Sequence, residues 1–156
     1  MLTSNESKSS LQTITLVHSG DDYFSRLVKM ILESKFEIHI QTYIFDYDST
    51  GKKIIEALKK AAAKNIKIYI LLDGFGSLSF PSEVIDELSK IGIDLRIFSP
   101  FLSANSLYIG RRLHHKIIVS DAKIALIGGI NIADKYRGTE KHGAWLDYAV
   151  EINDEN

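Results

Sequence analysis

Two residues one position apart carry the first chemical signal, His114 and Lys116, in the run His114-His115-Lys116-Ile117-Ile118-Val119-Ser120-Asp121. An imidazole beside an ammonium suits a phosphate. The ammonium supplies charge and donors to the phosphate oxygens, while a neutral imidazole can attack phosphorus. The lysine also helps to keep that imidazole neutral, because like charges disfavour one another. After six further residues, Gly128-Gly129-Ile130-Asn131 completes the pattern HxKxxxxD followed by GGxN. Glycines let backbone approach an anion closely, and Asn131 offers an amide donor to a non-bridging oxygen. The expected phosphate-binding set is therefore Lys116, Gly128, Gly129 and Asn131, with His114 as nucleophile. Asp121 closes the motif and stands among the catalytic candidates, although a strand end suits a turn anchor better than a substrate contact.

No metal or cofactor is implied. A fixed cation and neutral donors can stabilise a phosphorus-centred transition state, and the acidic clusters that hard divalent ions prefer are missing around the motif. His18, His39 and His142 read as packed or solvated residues, and His115, facing away from Lys116 on a strand, reads as structural.

The elements that must position this set follow from the apolar period, which alternates between strand and helix spacing from Leu11 onward. Strands are expected at Leu11–Val17, Phe36–Phe45, Ile66–Leu72, Ile93–Phe98, Leu113–Ser120, Lys123–Ile127 and Trp145–Ile152. Helices are expected from Gly20 to Lys35, after Asp48-Ser49-Thr50-Gly51, and from Pro81 to Ile91, each with an apolar face at i, i+3, i+4 spacing. This is the pattern of α/β folds, with βαβ units forming a mixed, mostly parallel sheet flanked by helices. Ser99–Arg112 has no periodicity and reads as a functional surface loop. Residues 1–10 read as a flexible leader and 11–156 as a single domain.

The 156 residues include 45% hydrophobic and 25% charged residues, no cysteine, and a net charge of −1. That composition excludes disulfide frameworks, thiolate metal sites and cysteine nucleophiles, and disfavours a nucleic-acid partner bound through bulk positive charge. The longest apolar run, Ile68 to Leu72, falls far short of the roughly 20 residues a spanning helix needs. The polar N-terminus is no secretory signal. The expected location is cytoplasmic or membrane-associated.

HxKxxxxD with GGxN resembles the phospholipase D superfamily, and its surroundings resemble the first half of bacterial cardiolipin synthases. The likeness runs almost from end to end. It includes Ser19-Gly20-Asp21-Asp22-Tyr23-Phe24, Gln41-Thr42-Tyr43-Ile44-Phe45, Leu72-Asp73-Gly74-Phe75-Gly76-Ser77, Arg112-Leu113-His114 and Trp145-Leu146-Asp147. The resemblance implies a phospholipase D-like domain in which His114 is nucleophile or general acid/base and Lys116 and Asn131 bind phosphate. It further implies that Asp147 orients the histidine, a role with a physical basis, since a carboxylate on the second ring nitrogen fixes the tautomer. Gly129 stands where many superfamily members have serine.

The resemblance also implies two HxKxxxxD motifs per active site, one histidine attacking and the other protonating the leaving oxygen. This chain holds one. The expectation is the first half of a duplicated two-motif protein, acting on a phosphatidylglycerol-like phospholipid and meeting the membrane surface through its parent. The alternatives are a homodimeric nuclease with its site on the two-fold axis and a non-catalytic module that binds phosphate or a partner.

Overall fold

The computed structural model describes residues 12–100, 102–103, 106–107 and 111–154, and the expected leader at 1–10 lies outside them. Along the described residues the elements are β1 (Gln12–His18), α1 (Asp21–Glu33), β2 (Glu37–Thr42), α2 (Ser49–Ala62), β3 (Lys67–Asp73), α3 (Ser82–Lys90), β4 (Ile93–Phe98), β5 (Leu102–Ser103), β6 (Ser106–Leu107), β7 (Lys116–Ser120), β8 (Ile124–Gly128), α4 (Asp134–Arg137) and β9 (Tyr148–Asp154). Strands β5 and β6 pair as a small hairpin inside the expected surface loop. The other seven strands form one sheet in the order β1-β9-β8-β7-β2-β3-β4.

The mixed α/β sheet is present, but its neighbours are less parallel than expected. Parallel pairing is confined to β2–β3 and β3–β4, the βαβ units built around α2 and α3. The pairs β1–β9, β9–β8, β8–β7 and β7–β2 are antiparallel. Five of the seven strands share one direction; β7 and β9 oppose it and are interleaved among them, which leaves only two parallel pairs of six. For the β7–β8 pair the physical reason is the short turn at Asp121-Ala122, after which only Lys123 precedes β8. Parallel neighbours need a crossover of a dozen or more residues, so a connection this short closes only a hairpin. Both turn residues have φ of 54°, the left-handed pair that matches the twist of a two-residue hairpin.

Alternation along the strands sorts one apolar face to the interior. Ile38 and Ile40 of β2, Ile68 and Ile70 of β3, Ile118 of β7 and Leu126 of β8 join one core with Leu27 and Ile31 of α1, Ile54 and Leu58 of α2 and Leu88 of α3. The helices thus lie on one face of the sheet. The opposite face shows Ile14, Leu16, Tyr69 and Ile127 to solvent.

Three strands move by more than one residue. Phe36–Phe45 shortens to Glu37–Thr42, Leu113–Ser120 begins only at Lys116, and Trp145–Ile152 shifts to Tyr148–Asp154. The ladder between β2 and β7 ends at Thr42 opposite Lys116. Past it, the chain bonds elsewhere: Ile132 N–H donates to Ile44 O, and Asp46 N–H donates to Ile132 O. Trp145 N–H likewise donates to Lys135 O, leaving the Trp145 side chain exposed.

Candidate active site

One end of the sheet gathers the candidates. His114 lies just ahead of β7, Asn131 just past β8 and Asp147 just ahead of β9, beside the Thr42–Lys116 pair that ends the ladder. Lys116 is buried, with 5% of its surface exposed. Its ammonium lies 3.2 Å from Nδ1 and 3.3 Å from Nε2 of His114, and donates to the His114 carbonyl oxygen at 3.0 Å. Nearly equal distances to both ring nitrogens place the cation over the ring face, not in line with one lone pair. The Tyr43 ring supplies a second π face, its centre 5.4 Å from the ammonium and 5.0 Å from the imidazole centre. Burial lowers the Lys116 pKa, and the negative charge of Asp147 opposes that shift. His114 itself is exposed. A sheltered cation therefore backs an imidazole that is open to an incoming diester.

Asn131 is buried and already engaged. Its Oδ1 accepts from Ile44 N–H at 3.0 Å, and its Nδ2 donates to the Tyr136 hydroxyl at 2.7 Å. An amide nitrogen carries two hydrogens, so one donor is left for a ligand oxygen. Burial raises the Tyr136 pKa; the Asn131 bond lowers it, while the charges of Asp147 and Asp46 add to the rise.

The glycines answer to a neighbouring strand more than to an anion. A Cβ on Gly128 would sit 2.3 Å from Tyr148 O and 2.5 Å from Ala149 Cα. A Cβ on Gly129 would sit 2.1 Å from Asp147 Oδ1. The Gly129 amide, the expected phosphate donor, donates instead to Tyr148 O at 2.9 Å. The structure gives both residues a packing role that the anion reading did not contain.

Asp147 and Asp121 depart from their expected places. The Asp147 carboxylate accepts from Tyr148 N–H at 2.7 Å, a bond within its own strand start and not one to the His114 imidazole. Its backbone is clamped by Ser19, whose N–H donates to Asp147 O and whose hydroxyl accepts from Asp147 N–H. The carboxylate acts on the site by charge, reaching Lys116, Tyr136 and the buried Tyr23, whose pKa is raised first by burial and then by Asp147. Asp121 stands at the far end of β7 from His114. It accepts from the N–H groups of Lys35, Phe36 and Glu37 at 2.8, 2.8 and 2.9 Å. The structure thus places Asp121 as an anchor of the α1–β2 junction and not beside His114.

The family model for the phospholipase D-like domain of cardiolipin synthase matches residues 27–154 of this chain. The chain belongs to that family. It is 36% identical over 141 residues to cardiolipin synthase B of Shigella flexneri, covering 89% of this chain and 34% of the relative. It is 37% identical over 141 residues to cardiolipin synthase of Clostridium perfringens, covering 89% and 29%. The chain thus spans about a third of the length of these relatives. Among solved structures, phosphatidylserine synthase of Haemophilus influenzae superposes with a TM-score of 0.73 at 17% identity, over 92% of this chain and 34% of that one. NucT of Helicobacter pylori superposes at 0.68 and 20% identity, over 92% and 87%. The phospholipase D-like fold is the part these structural likenesses support.

Within the phospholipase D-like domain, Asp73 is the residue that motif reading passed over. It is fully buried; Oδ1 accepts from the N–H groups of Phe75 and Gly76, and Oδ2 accepts from Leu113 N–H at 2.8 Å. Leu113 immediately precedes His114, so a carboxylate at the end of β3 fixes the backbone that carries the imidazole. Arg112 adds a guanidinium 4.0 Å from Asp73 and donates to Ser99 O at 2.9 Å. The available signal was an acid directly after Ile-Leu-Leu, where a strand core gives way to a charge that burial tolerates only with partners.

Proposed function

We propose that this phospholipase D-like domain is one half of a phosphatidyltransferase or phosphodiesterase that works through a phosphohistidine, with phosphatidyl transfer between phosphatidylglycerol molecules as its reaction. The supporting observation is the Lys116 ammonium held 3.2 Å from the exposed His114 ring. In the first step a ring nitrogen of His114 bonds to phosphorus while the bond from phosphorus to the leaving alcohol oxygen breaks, and that oxygen takes a proton. Lys116 and the remaining Asn131 donor stabilise the non-bridging oxygens. In the second step the hydroxyl of another phosphatidylglycerol attacks phosphorus, loses its proton, and frees the imidazole.

One histidine cannot both hold phosphorus and protonate the departing oxygen. A second HxKxxxxD half, in the same polypeptide or in a second copy, therefore supplies the acid. The names of the cardiolipin synthase relatives favour a phospholipid substrate, and the net charge of −1 disfavours nucleic acid. Metal independence is part of the proposal: the cation at the phosphate is Lys116, and activity is expected to survive EDTA while vanadate or tungstate inhibits.

The test is diester turnover in an assembly with a complementary half. His114→Ala is expected to lower turnover by several orders of magnitude, and His115→Ala by a few-fold at most. Equal losses would remove His114 from the role proposed, and a strict divalent-ion requirement in the chemical step would remove the mechanism.

A further inference from the structure

Between α1 and α2 the surface opens into a groove of about 510 Å³, floored by Phe24, Val28, Leu32 and Ile54. A second hollow of about 400 Å³ continues it along α2 and shares Val28, Leu32 and Lys53. The rims of the two carry Lys29, Lys52, Lys53, Lys60 and Arg137 against Asp21, Glu33 and Glu56. Asp21 is paired with Arg137 at 2.8 Å, Glu56 shares Lys59 at 3.1 Å with Glu87 at 2.7 Å, and Glu33 has no ion pair among the described residues. Among the described residues, Lys29, Lys53 and Lys60 have no ion pair, and the Lys52 ammonium rests 5.1 Å above the Tyr47 ring. A chain whose net charge is −1 thus places more lysines without an ion pair than acids without one around a single apolar seam.

The seam also has a direction relative to the site. Strand β2 ends at Thr42 opposite Lys116, and α2 starts just beyond it at Ser49; β1 ends at His18 opposite Tyr148, the neighbour of Asp147, and α1 starts at Asp21. Both helices therefore begin at the end of the sheet where His114 lies. Of the groove's lining, Asp21 and Thr50 stand in the first turns of the two helices and so lie at that end.

We propose that the α1–α2 face docks on an anionic phospholipid bilayer, with Val28 and Leu32 against the acyl boundary and Lys29, Lys53 and Lys60 among the headgroup phosphates. Phe24 and Ile54 are buried and Val28 and Leu32 are partly exposed; an acidic protein would satisfy the lysines but not these two apolar side chains, whereas a bilayer satisfies both. The orientation argument rests on the proposed phosphate site; the docking itself does not require turnover.

The experiment is co-sedimentation of the 156-residue chain with vesicles of phosphatidylcholine alone or with 30% phosphatidylglycerol, a fraction chosen to give about −30 to −50 mV of surface potential. Binding is expected only to the anionic vesicles, weakening steeply as salt rises. Each lysine removed from this face should cost about fivefold in partitioning, so the triple variant K29Q/K53Q/K60Q loses about a hundredfold. The control K67Q/K90Q/K123Q removes the same charge from exposed positions outside this groove and should bind like the parent chain. Equal loss in both triple variants would overturn the proposal, as would equal binding to neutral vesicles. So would loss in Ile14→Glu with the lysine triple intact, since the bilayer would then lie on the uncovered sheet face. Capture of heparin by these lysines with no vesicle binding would assign the face to an acidic macromolecule and overturn the bilayer reading.

Discussion

At the scale of single residues, Gly128 and Gly129 differ in what blocks a side chain. The atoms facing Gly128 are backbone, Tyr148 O and Ala149 Cα at 2.3 and 2.5 Å from an added Cβ, and neither can move without opening the β8–β9 ladder. The atoms facing Gly129 belong to the Asp147 carboxylate, which can rotate away. Gly128→Ala is therefore expected to cost about 3 kcal/mol, the upper range for overpacking. Gly129→Ala should cost about 1 kcal/mol, the loss of one hydrogen bond to Tyr148 N–H. Urea unfolding of the two variants measures the difference, and equal costs would contradict the geometry. The residue types at 114, 116 and 131 were legible in sequence because chemistry restricts them. The reason for the glycines was not, because it lies in a strand twenty residues away that only the sheet brings near.

At the scale of elements, the aspartate that closes HxKxxxxD ties the β7–β8 turn to the junction of α1 and β2. Burial pushes the Asp121 pKa up, but three backbone N–H groups and the Lys35 charge outweigh it and hold the carboxyl below its usual range. The same balance holds for Asp134, where the hydroxyls and amides of Thr50 and Ser49 overcome burial. Asp48, which caps α2 at Gly51 N–H, goes the other way; burial raises its pKa, with the charges of Asp134 and Asp46 adding to the rise. For Asp121 and Asp134 the unfolded chain binds the proton at a higher pH than the folded one. Their contribution is therefore complete above the ordinary carboxylate pKa near 4 and is lost as pH falls through the depressed folded values. Asp121→Ala is expected to lose about 2 kcal/mol at pH 7 through three unmade bonds to a charged acceptor, and to show a shallower fall in stability below pH 4 than the parent. An unchanged acid limb in thermal melts across that range would show that Asp121 is not the anchor described. Helix and strand identities were readable from the apolar period, whereas strand ends were not, since each ladder stops where its neighbour turns away. The four-residue α4 has too little length to show a period at all.

At the scale of the whole molecule, the helices cover one face of the sheet and leave the other to solvent. On β1, Ile14 and Leu16 are 67% and 61% exposed, and they pair in register with Ile152 and Val150 of β9. Ile127 of β8 faces Val150 and Ile117 of β7, which extends the same apolar stripe across four strands. Sequence reading did not anticipate this stripe, because the mostly parallel sheet it expected is ordinarily covered on both faces. A contiguous stripe of this kind favours association over a free monomer. The 156-residue chain is therefore expected to self-associate with rising concentration in sedimentation experiments, and the double variant Ile14→Lys with Leu16→Glu to remain folded and monomeric. The same monomer should lack efficient diester turnover, since it holds a single HxKxxxxD motif and no second one whose histidine could protonate the leaving oxygen. A parent chain that stays monomeric at hundreds of micromolar would show that the stripe is tolerated in water. A monomeric double variant with full turnover would show that one motif suffices and that the paired-histidine mechanism does not describe this domain.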